Sequence, residues 1–108
     1  QDPTDHAEKR VIREASQILG NNLQGCVIYA SGHPCPMCLA AMYLSDVSSV
    51  VYAASNQVGE PFGLSTAAIY EQVALPLDQQ RMPITYLAHK DMPTLYQDWR
   101  RMQNDKII

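Results

Sequence analysis

Pro34-Cys35-Pro36-Met37-Cys38 stands where an apolar run, Cys26 to Ser31, gives way through a short polar turn to an Ala/Met/Leu-rich stretch. That succession predicts strand, tight turn, helix. Two cysteines three apart in a first helical turn share one face. The free backbone N–H groups of that turn stabilise thiolates, so the pair suits either metal binding or redox chemistry. A lone C-x-x-C does not decide between the two.

His6-Ala7-Glu8, just ahead of an amphipathic run, bears on that choice. In a helix interior, residues two apart project about 200° from each other, so His6 and Glu8 can converge only beyond a helix tip. With His6 at the tip of a first helix and Cys35 and Cys38 at the tip of a second, two positive helix ends meet at one point. Soft sulfur and imidazole ligands suit tetrahedral zinc. Three protein ligands leave a fourth position open, the mark of a catalytic rather than a structural site. Glu8 then remains free for proton transfer. A competing reading makes Asp5 and Glu8 the two ends of a helix-capping box, but a cap has no need of the distant C-x-x-C.

The 108 residues, 46% apolar and 18% charged, bound the chain to one globular domain, 1–108. No apolar run approaches the ~18 residues of a membrane span. With no signal-peptide pattern at the start, the expectation is a cytoplasmic protein with no membrane partner. Three cysteines, an odd number with two in ligand spacing, argue for a reducing compartment. A net charge of −3 disfavours nucleic acid as a partner. The basic clusters Lys9, Arg10, Arg13 and Arg100, Arg101 have acidic neighbours and read as solvated helix faces. A small uncharged substrate fits this balance.

Along the chain, Val11, Ile12, Ala15, Ile18 and Leu19 form one stripe of a helix over Ala7 to Leu19 with Gly20 as its stop, placed to cover a sheet. Strands are expected at 26–31 and 48–54, the first with Cys26 packed in the core. They are separated by a helix, 36–44, apolar nearly all round and therefore expected to be buried. The helical crossover makes the two strands parallel. The segment 55–65, with Gly59, Pro61 and Gly63, is a loop beyond the carboxyl end of the second strand, where ligand sites of open α/β sheets form. A helix over 66–75 is closed by Pro76, and a third parallel strand is expected at 83–88. The last helix begins between Asp91 and Thr94, with Trp99 as its packing anchor.

Asp2-Pro3-Thr4 before His6-Ala7-Glu8, together with Pro34-Cys35-Pro36-Met37-Cys38-Leu39-Ala40-Ala41, resembles the cytidine deaminase superfamily, whose signature is H-x-E followed by P-C-x-x-C. Within it the chain is similar to bacterial guanine deaminases and nucleoside deaminases. Val51-Tyr52-Ala53-Ala54, Ala68-Ile69-Tyr70 and Trp99-Arg100 extend the likeness. The resemblance implies a three-layer α/β/α cytidine-deaminase-like fold and one zinc ion per chain held by His6, Cys35 and Cys38, with Glu8 as the catalytic acid and base. The implied activity is hydrolytic deamination of a nucleobase or nucleoside, guanine or a relative, with release of ammonia. A homodimer is implied as well. Ala7 and Pro34 fall at substrate-contacting positions, as do Leu44, where guanine deaminases carry Trp, and Ser65 with Thr66, where they carry an acidic residue. Ile108 aligns with their C-terminal tyrosine, contributed by a swapped neighbour. Gly32 and His33 replace a Cys-Glu pair, and His33 reads as an exposed loop histidine.

The family's N-terminal helix and two strands have no counterpart ahead of His6, so the chain is expected to be the later part of a longer deaminase, with an open sheet edge at Cys26. Other readings are an inactive zinc-holding fragment, a tRNA adenosine deaminase, which the acidic balance disfavours, and a thiol oxidoreductase, which leaves His6 and Glu8 without a role.

Overall fold

The computed structural model describes residues 2–105. Ile108 lies outside them. Helix α1 (Ala7–Leu19) leads to strand β1 (Val27–Gly32), helix α2 (Pro36–Leu44) and strand β2 (Ser49–Ala54). The short helix α3 (Asn56–Gly59), α4 (Ala67–Val73) and α5 (Met92–Asn104) follow, with single 3-10 turns at Glu60–Phe62 and Leu77–Gln79. β1 and β2 are parallel, with Val27 opposite Ser49 and Gly32 opposite Ala54. This is the strand–helix–strand crossover that the sequence predicts, within one residue at each boundary.

The start of α1 differs from a capping box. His6, not Asp5, is the N-cap, in an extended conformation and with no side-chain cap bond. Asp5 instead lies 3.7 Å from the exposed Arg10 guanidinium, so Glu8 is not committed to a box. At the other end Gly20 takes φ 91° and donates its N–H to the Ser16 carbonyl, the left-handed stop that glycine adopts without strain. Of the apolar stripe only Ile12 is buried; Ile18 is 82% exposed.

Cys35 caps α2 with its own sulfur, which accepts the Cys38 N–H at 3.4 Å, and Pro36 at the first helical position needs no donor there. The expectation that α2 is buried all round is corrected. Cys38 and Met42 are buried, whereas Tyr43 and Leu44 face solvent, because the two-stranded sheet and α1 cover one side only. The core consists of Ile12, Leu23, Ile28, Cys35, Cys38 and Met42, with Cys26 half-buried against it. It gathers at the junction of α1, β1 and α2, directly beneath the helix tips. Asp46, at φ 57°, closes α2, and the Val47 N–H returns to the Met42 carbonyl at 3.1 Å.

The third strand, 83–88, does not form. Pro83 to Ala88 runs without regular structure, unpaired with β2 among the described residues, and Tyr86 is 89% exposed. An apolar run makes a segment able to enter a sheet, but pairing needs an edge brought alongside it. Trp99 likewise anchors nothing buried: it is 61% exposed, on an α5 face shared with Leu95, Tyr96 and Met102. The chain is correspondingly elongated, with a radius of gyration of 18.0 Å against about 13 Å for a compact domain of this length. No helix among the described residues is long and apolar enough to cross a membrane.

Candidate metal centre

Three side chains from two helix tips converge. The His6 Nδ1 atom lies 3.4 Å from the Cys35 sulfur and 3.5 Å from the Cys38 sulfur. Their ligand atoms all fall within 4.8 Å of one another. The two sulfurs are buried and the imidazole half-buried. α1 delivers His6 because its N-cap is extended, which turns the imidazole beyond the helix end, and Ile12 seats the helix in the core one and a half turns later.

The spacings can be tested against a metal. With zinc–sulfur bonds of about 2.3 Å and zinc–nitrogen bonds of about 2.0 Å, an N–S edge of a tetrahedron measures roughly 3.5 Å. The two observed edges, 3.4 and 3.5 Å, agree with it. A nitrogen and two soft sulfurs is also a donor set that zinc prefers. The residues fit the ion.

Electrostatics single out Cys38. Burial, then the hydrogen bond and charge of Cys35, then the hydrogen bond and charge of Glu8 push its thiol from 9.0 up to about 12. Crowding of this kind favours the neutral Cys38 thiol unless a cation joins the cluster. Glu8, half-buried in the first turn of α1, is near enough to Cys38 to contribute to that rise, though its carboxyl is not one of the three clustered ligand groups.

The remaining sequence-predicted site residues divide. Ala7 is exposed beside Glu8, and Pro34 is buried immediately before Cys35. Ser65 and Thr66 lead into α4 and make local bonds. The Ser65 hydroxyl accepts the Ala67 N–H at 3.2 Å, and Asn56 Oδ1 accepts the Thr66 N–H at 3.1 Å. Leu44 is not brought to the cluster: it is 86% exposed, about 9 Å further along α2 than Cys38 at 1.5 Å per residue.

Tyr70, unmarked by any local motif, also reaches the site. Its hydroxyl donates to the Pro34 carbonyl, one residue before the first cysteine. Burial and then the charges of Cys35 and Cys38 hold its phenol above the usual range, so it stays a donor. His33 is half-buried rather than an exposed loop residue. Its ring meets Tyr52 edge-on at 5.0 Å between centroids and Tyr70 at 5.4 Å, and its Nδ1 atom is buried without a partner. Ala68-Ile69-Tyr70 stood among the residues carrying the resemblance, but a contact spanning 36 positions has no local signal.

Residues 1–54 match the family described as the cytidine and deoxycytidylate deaminase zinc-binding region. Guanine deaminase of Bacillus subtilis (strain 168) is 35% identical over 106 residues, 97% of this chain and 68% of that protein. The X-ray structure of guanine deaminase from Bacillus subtilis superimposes with a TM-score of 0.85 at 35% identity, over 93% of this chain and 64% of that one. The tRNA-specific adenosine deaminase of the same organism is 46% identical over 55 residues, half of this chain and 34% of that protein.

Proposed function

The chain belongs to the cytidine and deoxycytidylate deaminase zinc-binding family, and from that premise we propose that it carries out zinc-dependent hydrolytic deamination of a nucleobase or nucleoside. The observation that carries this reading is the pair of N–S separations, 3.4 and 3.5 Å, which match the edges of a zinc tetrahedron with one corner free. His6, Cys35 and Cys38 hold one zinc ion. When bound, the ion supplies a Lewis acid that makes water a nucleophile near neutral pH.

Glu8 moves the protons. Its carboxylate accepts one from the attacking water and delivers it to the ring nitrogen next to the amine-bearing carbon. It then carries a second to the departing amine, so that a C–O bond replaces the C–N bond and ammonia leaves. Glu8 is half-buried, so its carboxyl is partly screened from bulk water.

Guanine is the first candidate substrate, from the likeness to guanine deaminase. Leu44, Ser65 and Thr66 stand where guanine-reading residues are expected, so a related amino-heterocycle competes with it. Pro34 and Ala7 supply backbone contacts to the substrate. The net charge of −3 favours a free base or nucleoside over tRNA. A homodimer is proposed as well, with the C-terminal segment lodged on a neighbour: the exposed Leu95, Tyr96, Trp99 and Met102 of α5 support it. A cytoplasmic location follows from the same chemistry, which needs reduced cysteines.

The test is ammonia release from guanine, adenine, cytosine, their nucleosides and aminotriazines by zinc-loaded protein, beside Glu8→Gln. Release from one substrate, lost in Glu8→Gln while zinc stays bound, is expected. Equal release by Glu8→Gln removes the proton-transfer assignment, and no release from any substrate removes the enzymatic reading.

A further inference from the structure

α4 and the metal turn are far apart in sequence and touch through one polar contact. The Tyr70 hydroxyl donates to the Pro34 carbonyl, 36 positions earlier. Its ring, with that of Tyr52, brackets His33, the residue before Pro34. The peptide that leads into Cys35 is therefore gripped twice, by a hydrogen bond on Pro34 and by two edge-on rings on His33. The first of these grips is a single atom that can be removed without disturbing the second.

We propose that Tyr70 is a positioning residue of the metal centre: its hydroxyl orients the Pro34 carbonyl and, through it, the Cys35 sulfur. A carbonyl oxygen has two acceptor directions. With Tyr70 holding one, the peptide plane before Cys35 is fixed and the second direction stays available. The same contact ties the loop to the metal. Tyr70 sits one turn into α4, and its N–H bonds the carbonyl of Thr66, whose own N–H is held by Asn56. The segment from Ser55 to Thr66, which contains α3, is thereby tied to the Cys35 turn. Partners that orient metal ligands from one bond further out change metal affinity or activity by about 10–100-fold when removed.

Cobalt-substituted protein supplies a readout at the sulfur atoms themselves. Tyr70→Phe keeps the ring beside His33 and deletes only the hydroxyl. We expect it to bind one cobalt per chain, to shift the thiolate-to-cobalt absorption, and to lose zinc to a chelator about tenfold faster than the unaltered protein, with an unchanged melting temperature. Tyr86→Phe, which deletes a hydroxyl from an exposed tyrosine, serves as the control and leaves both readouts alone. Tyr70→Leu removes ring and hydroxyl together and lowers the melting temperature as well. Unaltered absorption and zinc release in Tyr70→Phe overturn the proposal. So does a loss of folding in Tyr70→Phe as large as in Tyr70→Leu, which makes Tyr70 a packing residue. The proposal rests on the deaminase reading for its effect on turnover alone. A protein inactive on every substrate defeats that reading, while the cobalt absorption still decides on Tyr70.

Discussion

Ile12 and Ile18 lie six residues apart on the same helix and should respond very differently to truncation. Ile12 is 7% exposed and belongs to the six-residue core, whereas Ile18 is 82% exposed. Ile→Ala at a buried site removes the transfer free energy of three carbons and leaves a cavity, a loss of about 2–5 kcal/mol. This core is small and opens on one side to solvent, so its walls can close in, and the lower end, about 2–3 kcal/mol, is expected for Ile12→Ala. Ile18→Ala removes little buried surface and gains a better helix former, so a change within about 0.5 kcal/mol is expected.

The functional consequence follows from what α1 carries. Ile12 is its only fully seated side chain, and His6 stands at its tip. A looser α1 lets the imidazole wander from the two sulfurs. Ile12→Ala should therefore release zinc to a chelator sooner than Ile18→Ala, even in mild conditions where both are folded. Urea titrations of the metal-free and zinc-loaded proteins measure the first effect, and chelator competition the second. Equal losses from the two alanines would mean that α1 does not present Ile12 to the core. Undiminished zinc retention in a destabilised Ile12→Ala would show that His6 is placed by something other than its helix.

Two other expectations concern the cysteine and the turn. Because burial, Cys35 and Glu8 raise the Cys38 thiol from 9.0 to about 12, its contribution to the metal-free protein is intact below pH 9 and is lost as the pH climbs toward 12. Urea midpoints of metal-free protein should fall over that window, and flat midpoints would contradict the crowding described. Zinc binding displaces the Cys38 proton, so apparent zinc affinity should climb about tenfold per pH unit from this thiol alone. Asp46 holds φ 57° at the end of α2. Asp46→Val should cost about 1–2 kcal/mol in thermal unfolding and Asp46→Gly nothing, since a branched side chain resists that conformation.

The half that carries the candidate metal centre was legible in the sequence because its signals are local. Cys35 and Cys38 share a helical turn, Gly20 ends α1, and a helix between two apolar runs makes β1 and β2 parallel. The covering of those elements was not legible. Periodicity says which side of α2 is apolar, and it is apolar on every side. Only the packing reveals that Met42 is covered while Tyr43 and Leu44 are not. The run at 83–88 fails as a strand for the same reason, since its apolar character describes the segment and not the edge it would need. Tyr70 and His33 were hidden by distance along the chain. A tyrosine in a helix and a histidine in a loop become partners only when α4 folds back on the turn before α2.

The sulfur of Cys35 both starts α2, by accepting the Cys38 N–H, and faces His6 across the candidate metal site. The two duties ask for different chemistry, since a hydroxyl oxygen caps a helix as well as a sulfur does but is a poor donor to a soft cation. Serine at position 35 would retain the helix and surrender the ion. On the proposed reading, one atom thus separates a metal-holding chain from an equally well-formed bare scaffold, and the fold outlasts the loss of the site.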